Sequence, residues 1–133
     1  MRKENLIITC VVIIILAIFF LSFYISNYNN KTYDTKTSTG AVTIDITPKE
    51  FKNGEFYIDI KLNTHTVNME SYDLKEITTL NYDDKIAKPV MVPHLEGHHN
   101  SGTLVFNLDK EPKKFTIKII GILDVNERLF EWK

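Results

Sequence analysis

Four histidines are the residues of this sequence most able to do chemistry. His94, His98 and His99 lie in the segment "MVPHLEGHHNSGTL", and His65 lies upstream in "KLNTHTVNM". Neutral imidazole is a good ligand for copper and zinc. We therefore take His65, His98 and His99 as the main candidate ligands of a copper or zinc site.

Further candidate ligands lie beside these histidines. Met69 and Met91 flank the two segments, and thioether sulfur would favour Cu(I). His94 is a third secondary candidate, and Asp73 and Glu96 could supply carboxylate oxygens. No pair of histidines lies four residues apart on a predicted helix, so the spacing does not match that zinc motif.

The histidine-rich segment also has a structural explanation. The letters "NSG" after His99 are typical of a turn, and His65 could bond to a backbone carbonyl at the end of a strand. Adjacent residues of an extended chain point in opposite directions, so His98 and His99 are not expected to bind one ion together. The alternative to a metal site is therefore a loop with solvated or structural histidines.

A catalytic triad of Ser101, His99 and Asp73 is conceivable from the residue types alone. The sequence has no nucleophile elbow around Ser101 and no clear oxyanion donors. Cys10 is the only cysteine and lies in an apolar run, so the rest of the chain has neither a thiolate nucleophile nor a disulfide. We therefore predict no catalytic residues and a non-enzymatic function.

Residues 6–25 form a continuous apolar run without charge, proline or glycine. As a helix this run spans about 30 Å, the thickness of a bilayer core. It is longer than the hydrophobic part of a signal peptide and lacks the small residues of a cleavage site. We predict an uncleaved, single-pass transmembrane anchor after a cytoplasmic tail of residues 1–5. Arg2 and Lys3 favour this orientation, which places the remaining chain outside the cytoplasm.

Residues 26–40, "SNYNNKTYDTKTSTG", are polar and show no apolar periodicity. We predict a flexible linker for this segment. It contains one glycosylation sequon at Asn30, which matters only in a host that modifies such sites.

Residues 41–133 alternate between apolar and polar side chains, as half-buried strands do. The segments "AVTIDIT" and "FYIDIKL" are clear examples, and a turn at Asn53-Gly54 lies between them.

The segment "YDLKEITTLNY" fits a strand or a short helix, and its β-branched residues favour a strand. A strand over 86–92 contains Pro89, which favours an edge position. The remaining predicted strands are "TLVFNL", "FTIKIIGI" and "ERLFEW".

About seven short strands with regularly spaced turns predict an all-β domain over residues 41–133. We expect an immunoglobulin-like antiparallel β-sandwich with Trp132 packed between its sheets. If every strand reverses the direction of the previous one, the loops at 63–71, 93–102 and 122–126 share one end. That end would hold all four histidines, and the linker would enter there, so that it faces the membrane.

Three segments, "LNTHTV", "GHHNSGTLVF" and "ERLFEW", carry a resemblance. Together they resemble a pattern of uncharacterised prokaryotic β-sandwich domains that are exported or tethered to a membrane. The resemblance covers most of residues 41–133. It implies that His65, His98, His99 and Ser101 act as one unit, whereas His94 lies outside the pattern.

The charge is nearly balanced, with 16 Lys and Arg against 17 Asp and Glu, which argues against a nucleic-acid partner. We predict a membrane-anchored extracytoplasmic binding or interaction domain that binds copper or zinc through histidines at one end of the sandwich. The alternative is a purely structural envelope component or partner-protein interaction module, without metal or catalysis. The expected partners are membrane lipid, through residues 6–25, and a protein of the cell envelope.

Overall fold

The computed structural model describes residues 2–28 and 31–133. The chain divides into two compact units, with the boundary between Lys31 and Thr32. The sequon residue Asn30 lies outside the described residues, so the structure does not bear on its glycosylation.

The first unit consists of the helix α1, Lys3–Tyr28. Its segment Lys3–Ile25, 23 residues long, is apolar enough to cross a membrane. Such a helix is about 35 Å long and satisfies its own backbone hydrogen bonds. Apolar side chains are exposed on all its sides, as lipid contact requires. The predicted apolar helix is confirmed in length and composition, and its orientation stays a prediction.

The second unit is mostly β-structure. In the described residues, two antiparallel sheets contain four strands each, in the order β1-β2-β3-β6 for sheet A and β5-β4-β7-β8 for sheet B. A short 3₁₀ turn, Met69–Ser71, and a one-turn helix α2, Leu74–Ile77, precede β4. The strands are β1 Lys36–Ser38, β2 Val42–Lys52, β3 Glu55–Thr64, β4 Thr78–Tyr82, β5 Lys85–Ala87, β6 His99–Asn107, β7 Phe115–Ile122 and β8 Val125–Trp132.

A hydrophobic core joins the two sheets, which pack face to face as in a β-sandwich. Ile44 and Ile46 of β2 and Ile117 and Ile119 of β7 are fully buried in it. Alternate residues point to opposite faces of a strand, so the polar residues between them reach solvent. Burial of each such isoleucine stabilises the fold by about 1.5–3 kcal/mol. The alternation in the sequence therefore predicted both the strands and the core.

Two segments differ in detail from their predictions. The segment "YDLKEITTLNY" contains both a short helix and a strand. Asp73 caps α2 by accepting a hydrogen bond from the Lys75 backbone N–H at 2.9 Å, and β4 follows α2 directly. The strand predicted over 86–92 ends at Ala87, at the edge of sheet B. The chain then crosses to sheet A, where Met91 forms an antiparallel bridge with Val105.

The compact unit begins at Thr32, inside the segment 26–40 that was predicted to be a flexible linker. The ring of Tyr33 packs edge-on against Phe56 and Phe115, and Trp132 Nε1 donates a hydrogen bond to the backbone oxygen of Asp34 at 3.0 Å. β1 then pairs with β2. Residues 32–40 therefore belong to the folded unit. Their polar composition gave no periodicity from which the short strand β1 could be predicted.

The strands define two ends of this unit. The aromatic end carries Tyr33, Phe56, Phe115 and Trp132. The histidine end consists of the loops 63–73, 92–99 and 121–127. These loops are joined by hydrogen bonds from Thr64 N to the His98 oxygen and from Leu123 N to the Tyr72 hydroxyl oxygen. The three predicted loops do lie at one end, but the turn predicted at "NSG" is wrong, because β6 begins at His99 and these residues pair with β3.

The predicted entry point of the chain is wrong. Tyr33 and Asp34 contact the aromatic end, so the chain enters the unit opposite the histidine end. The reason is β1, which adds one reversal of direction before β2. The histidines were expected to face the membrane only because the chain was predicted to enter the unit at their end. The observed entry at the aromatic end removes this reason.

Candidate functional site at the histidine end

The structure brings His65 and His99 together. β3 and β6 are paired so that His99 lies opposite Asn63, and His65 directly follows the end of β3. The two imidazole rings are edge-to-face, with centroids 5.8 Å apart and an interplanar angle of 82°. His99 Nδ1 lies 3.1 Å from Asn63 Oδ1. When Nδ1 donates to this oxygen, Nε2 of His99 keeps its lone pair and can bind a metal.

His98 and His94 lie in different surroundings. The His98 backbone oxygen accepts a hydrogen bond from Thr64 N at 2.9 Å, and its side chain is exposed. His94 lines a cleft of about 340 Å³ together with Glu70 and Asp73, and none of the other histidines lines that cleft. The ring pair of His65 and His99 is therefore the part of the predicted site that the structure assembles.

Buried polar side chains hold the histidine loops in place. The Thr64 hydroxyl donates to the Ala41 backbone oxygen at 2.8 Å and accepts from the backbone N–H groups of Thr66 and Val67 at 3.2 Å each. Asn100 Oδ1 accepts from Glu96 N at 2.6 Å. Because these residues are nearly inaccessible to solvent, their hydrogen bonds fix the loop geometry rather than compete with water.

The two methionines do not join the histidine pair. Met69 is fully buried in the hydrophobic core, which explains its side chain without a metal. Met91 is 61 % exposed but pairs with Val105, six residues along β6 from His99. Six residues of a strand span about 20 Å, so Met91 lies far from the ring pair.

The described residues contain no group of three His, Cys, Asp or Glu side chains arranged to hold a metal ion. A structural zinc site has four protein ligands, and a catalytic one has three. The pair of His65 and His99 thus offers two imidazole ligands, and water or another molecule would have to complete the coordination.

The residues of the conceivable triad are not arranged for catalysis. Ser101 lies opposite Lys61 on the outer face of sheet A, two residues from His99. Asp73 caps α2 and lines the cleft of His94. In the described part of the chain, no hydrogen bond joins Ser101 to His99 or His99 to Asp73. The prediction that the chain has no catalytic residues is not tested further by the structure.

Arg128 is a structural residue of the histidine end that the sequence analysis missed. It is 2 % exposed, and its guanidinium donates to the backbone oxygens of Val42, Val125 and Ile122 at 3.2, 3.3 and 3.5 Å. Burial lowers the pKa of Arg128, and the negative charge of Asp124 opposes this effect. The sequence holds a signal for it, because Arg128 alternates in step with the buried Phe130 and Trp132.

The charge of the histidine end is negative. The loops 63–73, 92–99 and 121–127 contain five carboxylates and no lysine or arginine, against which stand the adjacent buried Arg128 and Lys118, which pairs with Glu127. Negative potential raises the local concentration of cations, so this end is electrostatically suited to a metal ion or a basic group. The carboxylates in these loops are Glu70, Asp73, Glu96, Asp124 and Glu127.

Comparisons of the chain with protein-family models, curated proteins and solved structures give no match. The resemblance to membrane-tethered β-sandwich domains therefore stays a prediction.

Proposed function

We propose that this protein is a single-pass membrane protein whose residues 32–133 form a non-enzymatic binding and interaction domain outside the cytoplasm. One observation carries the proposal: an apolar helix long enough to cross a membrane precedes a compact β unit with its own hydrophobic core. Arg2 and Lys3, on the N-terminal side of the helix, favour a cytoplasmic N-terminus.

We further propose that the unit is of the immunoglobulin-like type. Strands β2, β3 and β6 lie in one sheet, while β4, β7 and β8 lie in the other. This distribution matches the A, B, E and C, F, G strands of an immunoglobulin-like sandwich. Sandwich domains of this kind present loops at both ends and two broad faces, which suits binding better than enclosure of a small substrate.

Membrane topology is the experiment that tests the main proposal. Single cysteines are introduced at Glu4 and at Lys61 in a Cys10→Ser background, which keeps Arg2 and Lys3, and intact cells are treated with a membrane-impermeant maleimide. Lys61→Cys should react and Glu4→Cys should react only after lysis. Reaction of Glu4→Cys in intact cells with protection of Lys61→Cys would contradict the proposal.

Binding of copper or zinc is the second candidate function, and the contact between His65 and His99 is the observation that favours it. The full-length protein in detergent micelles is titrated with Zn(II) or Cu(II) while its unfolding is followed. One hundred times the dissociation constant should stabilise the fold by about 2.7 kcal/mol. The increase should vanish in His65→Ala and persist in His94→Ala, which is the matched control.

A stabilisation that is the same in both variants would place the bound metal elsewhere. No stabilisation of the wild-type protein would favour the alternative function, a structural envelope component or interaction module that holds a partner protein without metal.

A further inference from the structure

The large apolar side chains that the β unit exposes are unevenly distributed. In the described strands of sheet B, Ile120 and Leu129 lie on the outer face and are 44 % and 53 % exposed. Ile86 of β5 and Leu123 in the β7–β8 turn add to this side, at 74 % and 58 %. Sheet B therefore presents apolar surface that the rest of the β unit does not cover.

The outer face of sheet A is different. The Thr37 hydroxyl donates to Asp45 at 2.6 Å, the Thr103 hydroxyl donates to Asp59 at 2.9 Å, and Lys49 pairs with Asp59 at 3.3 Å. The described strands of sheet A contain no large exposed apolar side chain, although Val90 and Met91, which lie beside Val105 at the edge of β6, are 46 % and 61 % exposed. The polar groups on the strands of sheet A bind each other, and these strands carry no exposed apolar pair comparable to Ile120 and Leu129.

The centre of the sheet B face combines apolar and charged groups. Strand pairing places Lys118 opposite Leu129 and Ile120 opposite Glu127, so Ile120 and Leu129 are diagonal neighbours on one face. Lys118 Nζ lies 3.4 Å from Glu127 Oε2, and both side chains are partly exposed. This centre carries one positive and one negative charge around a small apolar pair.

We propose that a second copy of this chain docks on the outer face of sheet B. A two-fold axis close to Leu129 would bring the apolar pairs of both copies together and place Lys118 of each copy near Glu127 of the other. The face is therefore complementary to itself in charge. Its balanced charge gives no comparable attraction for nucleic acid or for an anionic lipid surface.

This inference rests on the proposed function, because anchoring in one membrane raises the effective concentration of the copies for each other. A small interface then suffices for association.

Site-specific cross-linking of the full-length chain tests the proposal. Leu129→Cys in a Cys10→Ser background is reconstituted into phosphatidylcholine vesicles and treated with a short bis-maleimide. Lys61→Cys, at an exposed position on the outer face of sheet A, is the matched control. We expect at least fivefold more covalent dimer for Leu129→Cys than for the control.

Charge reversal on the outer face of sheet B is a second test of the self-association. Glu127→Lys, added to Leu129→Cys, places like charges across the two-fold axis and should reduce the dimer severalfold. The further change Lys118→Glu should restore it, because the face is then again complementary to itself. Equal cross-linking at both cysteine positions, or no response to Glu127→Lys, would overturn the proposal.

Flotation of the vesicles separates this proposal from the proposed function. Protein that floats with the vesicles but does not cross-link at position 129 overturns the self-association alone. Protein that fails to float overturns the anchoring, and the self-association with it. A cross-link to a protein of different mass in native membranes, without dimer in vesicles, would replace the second copy by a heterologous partner.

Discussion

The two ends of the β unit are held together by different forces. At the aromatic end, Phe115 stacks on Trp132 with ring centroids 5.0 Å apart and meets Phe56 edge-on at 5.1 Å. At the histidine end, Thr64 and Arg128 form hydrogen bonds to backbone groups of neighbouring segments. The first end depends on non-directional burial of apolar rings, and the second depends on directional polar contacts.

We infer from this difference that the stability of the unit and its proposed binding depend on different residues. A ring cluster tolerates little change, because an interior is packed as densely as a crystal. A scaffold of hydrogen bonds from buried side chains instead fixes the loops and leaves the imidazoles of His65 and His99 exposed to solvent. We therefore expect the largest loss of stability at the aromatic end, smaller losses of stability for the buried polar residues of the histidine end, and losses of the proposed binding for its exposed imidazoles.

The largest loss of stability is expected for Phe115→Ala. Phe115 is 4 % exposed and contacts the rings of Tyr33, Phe56 and Trp132. Its removal should lower the free energy of unfolding by about 3–5 kcal/mol. Chemical unfolding of the full chain in micelles, followed by the fluorescence of the single tryptophan, measures this change. Met91→Ala, which truncates an exposed apolar side chain away from the outer face of sheet B, should stay within about 0.5 kcal/mol of the wild type.

Arg128→Met should give the next largest effect. Methionine keeps much of the volume but leaves three backbone oxygens without their donor, which we expect to cost about 3 kcal/mol. The same unfolding experiment measures the loss, and exposed Lys61→Met is the control. An Arg128→Met variant as stable as the wild type would show that the guanidinium does not hold this end.

Thr64→Val should be milder. Valine has nearly the same shape but removes one donor and one acceptor, and so the hydrogen bonds to Ala41, Thr66 and Val67. We expect a loss of about 1–2 kcal/mol. Thr66→Val, at an exposed position, should change the stability by less than about 0.5 kcal/mol. Equal effects of the two substitutions would contradict the role given to the Thr64 hydroxyl.

The smallest effect concerns alkaline pH at the aromatic end. Burial, together with the nearby charge of Glu111, raises the pKa of Tyr33 to about 12. Because the folded pKa is above the unfolded value of 10.0, the contribution of Tyr33 to stability is complete below pH 10 and is lost between pH 10 and about 12. Tyr33→Phe should make the fall in stability over this range shallower. A wild-type curve parallel to that of Tyr33→Phe would contradict this prediction.

Much of the fold could be predicted from local sequence because burial imposes a period of two on each strand. β2 and β3 show this alternation clearly, and the short turn at Asn53-Gly54 fits their pairing. β1 could not be predicted in this way, since its residues are polar and its place is set by backbone pairing with β2. Missing that one strand reversed the predicted position of the histidines relative to the chain entry.

The candidate site was predictable only in part. Strand parity brought the histidine loops to one end, and the opposite orientation of adjacent residues argued against joint ligation by His98 and His99. The contact of His65 with His99 depends on the register in which Asn63 faces His99, and no local pattern contains that information. The separation of Met91 from the histidines likewise follows from the crossover between sheets.

Hydrogen exchange of the full-length protein with and without Zn(II) or Cu(II) tests most directly whether the histidine end is the binding end. Metal binding at the histidine end should slow the exchange of backbone amides in residues 63–71 and 94–101, and His65→Ala should abolish this effect. Exchange in residues 50–56 and 107–115 at the aromatic end should not change. Slower exchange confined to the aromatic end, or a response at the histidine end that survives His65→Ala, would contradict binding by the histidine pair.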